Sequence, residues 1–137
     1  MENIDFPIPF RNIALSLSGG GYRATTFHLG ALSVLNALEF GPHSLLERVS
    51  ILSTISGGTL TGVMYALKLA QGSGYQGCFD KIYVLLEEDR LVEQALHKLN
   101  HPQKWTNPHK SRDVINAFSE VYNEQFYEQA TFAALYE

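Results

Sequence analysis

Residues 13–24 read IALSLSGGGYRA, and residues 49–60 read VSILSTISGGTL. The fold follows from these two stretches. In each, a short apolar run gives way to a glycine-rich turn, and the turn opens a segment with helical periodicity. Short apolar runs bounded by glycine read as buried strands, here over residues 13–18 and 49–53. After the first turn, Phe27, Ala31, Val34, Leu35 and Leu38 recur at helical spacing, with Leu29 and Leu32 on the flank. That pattern predicts a broadly buried helix over residues 23–40, stopped by Gly41 and Pro42. After the second turn, Leu60, Val63, Met64 and Leu67 mark the core face of another helix, ended by Gly72 and Gly74. Strand, loop, helix, strand, turn, helix predicts parallel strands joined by a right-handed crossover.

Working outward, residues 1–12 read as an extended segment punctuated by Pro7 and Pro9. Beyond residue 75 the pattern turns helical. One stripe is Phe79, Ile82, Tyr83 and Leu86; a second is Leu91, Ala95, Leu96 and Leu99. A third, Val114, Ile115, Phe118, Val121 and Tyr122, follows Ser111 as N-cap with Asp113 in its first turn. Only two strands are visible in 137 residues. Parallel sheets are normally wider and covered on both faces. The expected class is therefore α/β, a parallel sheet with flanking helices, of which residues 1–137 form the N-terminal part. Residues from 1 to about 75 would be the core carrying both turns, and those from about 76 to 137 a mainly helical portion.

Composition narrows the function. The chain has a formal charge of −4, 45% apolar and 12% aromatic residues, which describes a folding chain rather than a disordered one. The single cysteine, Cys78, excludes a disulfide framework and a multi-cysteine metal site. Mild acidity argues against a general nucleic-acid binder. Glu2 and Asp5 stand where a secretory signal would be basic, so a cytoplasmic location is expected, with export by a route lacking such a signal left open. Residues 49–67 carry no charge but hold too many Ser, Thr and Gly for a spanning helix.

The turns carry the chemistry. Ser18, Gly19, Gly20, Gly21, Tyr22, Arg23 and Ala24 join the first strand to its helix. Three successive glycines allow unusual backbone angles and let amides approach a ligand closely. At a helix start those amides favour an anion, either a bound phosphate or an oxyanion formed during reaction. Arg23 adds positive charge and a fork of donors. The other reading is a merely tight strand–helix connection. The second turn, Ser53, Thr54, Ile55, Ser56, Gly57 and Gly58, fits a nucleophile elbow with Ser56 at its apex and Gly58 two residues on. Thr54 takes the place where that motif has glycine. Gly57 would present its amide beside the Ser56 hydroxyl. The other reading makes Ser56 an ordinary helix cap. Together, both turns lie at the C-terminal ends of neighbouring strands, where open α/β sheets bind ligands. A carbonyl between a hydroxyl and a set of amides is the arrangement of acyl transfer.

SGGGYRA followed by the serine of TISGG resembles the patatin-like phospholipase family. The glycine loop is also similar to that of the cytosolic group IV phospholipases A. The resemblance covers residues 11–72 well, including RATTFHLGAL, and residues 111–137 more loosely. It implies a lipid acyl hydrolase, of the phospholipase A or lysophospholipase kind, using a Ser-Asp dyad without a catalytic histidine or a metal. Ser56 would be the nucleophile, Gly20 and Gly21 the oxyanion donors, with Gly19 in the same loop and Arg23 near the oxyanion or a lipid phosphate. The family's base is an aspartate followed by Gly-Gly or Gly-Ala. Asp5, Asp80, Asp89 and Asp113 are followed by Phe6, Lys81, Arg90 and Val114, so the base is expected outside this chain. These residues alone should hydrolyse little, since a serine without a base is a weak nucleophile. No cofactor is expected. A lipid or phospholipid substrate and transient contact with a membrane surface are expected, and the assembly state stays open. The alternative is a noncatalytic module binding a phosphate or lipid.

Several features carry less. Gly19, Gly21 and Ala24 also fit a dinucleotide fingerprint, but the second strand ends at Thr54 rather than at an acid. His97 and His101 lack the glutamate of a zinc helix, with Lys98 in its place, and read as surface histidines. His28 reads as packed, Cys78 as a small buried residue. Residues 97–112 are basic and include Trp105, which reads as a solvated loop with headgroup contact as the other option.

Overall fold

The computed structural model describes residues 10–105 and 107–135. They fall into two compact units, Met1–Gly62 and Val63–Glu137. In the first, strand β1 (Ile13–Leu17) leads into helix α1 (Gly21–Ala37). Two short strands, β2 (Glu39–Phe40) and β3 (His43–Ser44), then pair as an antiparallel hairpin. A 3-10 turn, Leu46–Arg48, leads to β4 (Val49–Thr54) and helix α2 (Gly57–Ala70), which carries the chain into the second unit.

β1 and β4 pair in parallel, with Leu15 opposite Leu52, Ser16 opposite Ser53 and Leu17 opposite Thr54. The parallel sheet and its crossover helix bear out the α/β expectation. Two predicted details differ. α1 ends at Ala37, not at Phe40, because residues 39–44 close a hairpin instead. Gly41, at φ 69°, precedes Pro42, the residue order of a two-residue turn with glycine first. The guanidinium of Arg48 secures this hairpin by donating to the Phe40 carbonyl at 2.7 Å and lying 5.2 Å over its ring.

The face that α1 buries is also not the predicted one. Leu29 and Leu32 are buried together with Thr25 and His28, while Phe27 is 71% exposed and Val34 58%. Two polar residues on the buried face hide it from a hydropathy pattern, and each has a hydrogen-bond partner there. With Leu17, Leu46 and Leu60, they form the core of this unit.

The second unit holds helices α3 (Gly74–Glu88), α4 (Leu91–Asn100) and α5 (Val114–Gln125). Cys78, Ile82 and Leu85 are the buried residues of α3, so Tyr83 of the predicted stripe faces out. In α5, Ala117, Glu120 and Val121 are buried, and Ile115 is exposed. Asp113, not Ser111, is the N-cap: its carboxylate accepts from the Asn116 amide at 2.8 Å. Ser111 instead donates to Asp113 at 2.6 Å. α4 and α5 are joined by a buried ion pair cluster, with Lys98 Nζ 2.7 Å from Glu124 and 3.3 Å from Glu120. Lys98 therefore belongs to the interior rather than to a solvated basic loop. Among the described residues, no helix is long and apolar enough to cross a membrane.

Candidate active site

Both turns lie in the first unit, and the sheet register sets them side by side. Leu17 and Thr54 are the paired last residues of β1 and β4. The Ile55 amide extends the pairing by donating to the Leu17 carbonyl at 3.1 Å. The glycine loop and the serine turn thus leave the same edge of the sheet from adjacent strands.

Ser56 sits at φ 51°, in the left-handed region that a non-glycine residue rarely adopts. A sharp strand-to-helix turn requires that angle, and two short hydrogen bonds hold it. Gly58 N–H donates to Ile55 O at 3.0 Å, and Thr59 N–H donates to Ser56 O at 2.8 Å. The turn is also crowded from behind. A Cβ on Gly58 would strike the Leu17 and Ser18 carbonyls, and one on Gly57 would strike the Gly21 carbonyl. Glycine at 57 and 58 is therefore a packing requirement, because the serine turn is pressed into the glycine loop.

That pressing brings the Ser56 side chain to the loop. A Cβ built on Gly19 would lie 3.0 Å from Ser56 Cβ and 3.7 Å from its Oγ. Gly20 and Gly21 follow at φ 141° and 60°. Gly20 is the N-cap of α1 and offers no side-chain acceptor to the first amides of the helix. Those amides have no partner inside a helix. A hydroxyl beside a helix start that lacks a capping side chain can attack a carbonyl whose oxygen turns toward the amides. Arg23 lies exposed in the first turn of α1.

Thr54 occupies the position where an elbow has glycine, and α2 accommodates it. A Cβ on Gly62 would lie 2.5 Å from Thr54 Cγ2 and 3.1 Å from Leu17 Cδ1. Gly62 thus leaves room for the methyl that Thr54 brings. Sequence reasoning passed over Gly62, since the demand on it comes from a strand residue.

Two more polar residues reach back to the turns. His28, 5% exposed, places Nε2 at 2.9 Å from the Ser18 carbonyl. A carbonyl only accepts, so in this bond the ring nitrogen is the donor. Thr25 is fully buried, with its hydroxyl 3.0 Å from the Gly57 carbonyl and 3.2 Å from the Gly21 carbonyl. Thr25 was also missed by sequence reasoning.

The remaining candidates are elsewhere. Asp80, Asp89 and Asp113 all belong to the second unit, and Asp5 lies outside the described residues. Asp80 accepts from Gln76 at 2.7 Å, and Asp89 ends α3 in a left-handed conformation. His97 and His101 stack with ring centroids 4.1 Å apart, and His101 Nδ1 is spent on the His97 carbonyl at 2.9 Å. Among the described residues, no group of three His, Cys, Asp or Glu side chains is placed to hold a metal ion. A cleft of about 490 Å³ runs beside α4 and α5, lined by Glu93, His97, Lys98 and Glu124 among others, and neither turn contributes to it.

Compared with known families, the chain matches the model described as patatin-like phospholipase over residues 15–131. The match begins inside β1 and takes in both turns. No curated protein and no solved structure matches the chain.

Proposed function

The chain belongs to the patatin-like phospholipase family, and from that membership we propose that it carries the nucleophile half of a serine lipid acyl hydrolase. Ser56 Oγ attacks the carbonyl of a fatty-acyl ester. An aspartate beyond this chain takes the hydroxyl proton, so the enzyme works with a Ser-Asp dyad. The tetrahedral oxyanion is held by the amides of Gly20 and Gly21, with Gly57 beside the serine. Arg23 adds charge for the oxyanion or for a lipid phosphate. Collapse of the intermediate expels the alcohol, which leaves with a proton, and water then hydrolyses the acyl-enzyme and returns Ser56 to its hydroxyl form. Nothing in this sequence of steps calls for a metal.

One observation supports this reading most: Ser56, at φ 51°, has its side chain against Gly19 of the triple-glycine loop. Strain at a serine is uncommon and clusters where a side chain must be presented. The hydrolase reading is tested with a fluorophosphonate probe on the full-length natural protein. Labelling at Ser56 that disappears in Ser56→Ala is the expected result. Phosphate or lipid binding without any labelling overturns it in favour of a noncatalytic module. The 137-residue chain alone is expected to show little Ser56-dependent ester turnover, because a serine with no base ionises poorly at neutral pH.

A further inference from the structure

Of the polar side chains buried in α1, one touches both halves of the site. Thr25 Oγ1 lies 3.0 Å from the carbonyl of Gly57, the residue after Ser56, and 3.2 Å from the carbonyl of Gly21 in the glycine loop. The return connection also exists: Thr61 of α2 donates its hydroxyl to the Thr25 carbonyl at 3.0 Å. Thr25 and Thr61 thus lace the start of α1 to the start of α2, and each helix starts at one of the two turns.

A threonine hydroxyl in a helix commonly bonds only to the carbonyl one turn back. Thr26, the next residue, does this: its hydroxyl donates to Tyr22 at 2.9 Å and is exposed. Thr25 has the equivalent bond, to Gly21, and adds an acceptor 32 residues away. Its single proton is shared between two carbonyls that belong to different turns. Removing the hydroxyl would take away its bonds to both carbonyls, including the one that reaches from α1 to the serine turn.

Resting on the hydrolase reading, we infer that Thr25 is a positioning residue: its hydroxyl sets the separation between Ser56 and the amides that receive the oxyanion. Thr25 touches no substrate. It acts by holding Gly57 and Gly21 in register, so its loss should lower the rate of attack and leave substrate binding unchanged. Small displacements of reacting groups are expensive in rate, up to about 100-fold for about 1 Å.

The test uses the full-length natural protein with Thr25→Val, Thr25→Ser and Thr26→Val. It reads kcat and KM on a p-nitrophenyl ester, the rate of Ser56 phosphonylation by a fluorophosphonate, and the thermal midpoint. Thr25→Val should lower kcat and the phosphonylation rate together, by about 10- to 100-fold, with KM within about twofold. Thr25→Ser, which keeps the hydroxyl, should restore both rates to within about threefold of the parent. Thr26→Val, the same change one residue along, should match the parent. If Thr25→Val does not fold, Thr25→Ala against Thr25→Ser makes the same comparison. A Thr25→Val protein that labels and turns over at the parental rate overturns the inference, as does a Thr25→Ser protein as slow as Thr25→Val. A parent whose Ser56 never labels overturns the hydrolase reading itself and the inference with it, so the two failures are told apart.

Discussion

Thr54 and Gly62 are complementary: the Cγ2 methyl of the strand residue fills the space in which the helix residue would carry a Cβ, 2.5 Å away. The serine turn departs from the usual elbow pattern at Thr54, and the adjustment appears one turn into α2. Gly62→Ala should therefore destabilise the protein by about 1–3 kcal/mol, the usual cost of overpacking. Adding Thr54→Ser removes the methyl and should recover part of that loss. Urea midpoints of the two single variants and the double variant measure the coupling, and simple additivity would contradict the contact.

His28 ties α1 to the end of β1 through the Ser18 carbonyl at 2.9 Å. His28→Leu preserves bulk and removes the bond, with an expected loss of about 1 kcal/mol. His28→Gln, whose amide nitrogen can reach the same carbonyl, should lose less. Equal losses in chemical denaturation would assign the role of His28 to packing alone.

Lys98 is held by two carboxylates in a site where it is 8% exposed. Burial pulls the ammonium pKa down, but the hydrogen bonds and charges of Glu124 and Glu120 outweigh it and raise it above 10.5. A raised folded pKa means the contribution is complete below the ordinary lysine range and lost as pH climbs through the folded value. Lys98→Met removes the cation facing the buried Glu120 carboxylate, which still accepts from the Asn107 amide, and should cost about 3–5 kcal/mol near neutrality. Its stability should also fall less steeply than that of the parent at strongly alkaline pH, as followed by thermal melts across the pH range.

Burial lifts the Cys78 thiol to about 12, against a small opposing pull from the charge of Lys68. The thiolate, which is the reactive form, is then scarce at pH 8. Ellman's reagent should release almost no colour from the native protein and one equivalent after unfolding. Fast release from the folded chain would place Cys78 outside the core.

The sheet and both turns are legible in the sequence for a physical reason. Apolar runs ending in glycine leave few alternatives to a strand entering a turn, and the observed Ile13–Leu17 and Val49–Thr54 each lie within one residue of the predicted strands. Ser56 and Gly19 are legible as a pair because parallel neighbours send their turns to one edge. The buried face of α1 is not, since Thr25 and His28 count as polar in any hydropathy pattern while their tertiary bonds make them core residues. The hairpin of Glu39–Phe40 and His43–Ser44 is too short to show a period. Thr25 depends on an acceptor 32 residues away and Gly62 on the methyl of Thr54 in the preceding strand, and nothing in their immediate neighbours announces them.

Under the hydrolase reading, the left-handed backbone at Ser56 sets function against ease of folding at a single position. Left-handed angles burden any side chain by about 1–2 kcal/mol, and only glycine escapes. Ser56→Gly should accordingly give a chain that folds at least as well as the parent and has no hydroxyl to react. Random mutagenesis screened for heat resistance alone would drift toward that inert protein, so any campaign to harden this scaffold has to select for turnover at the same time.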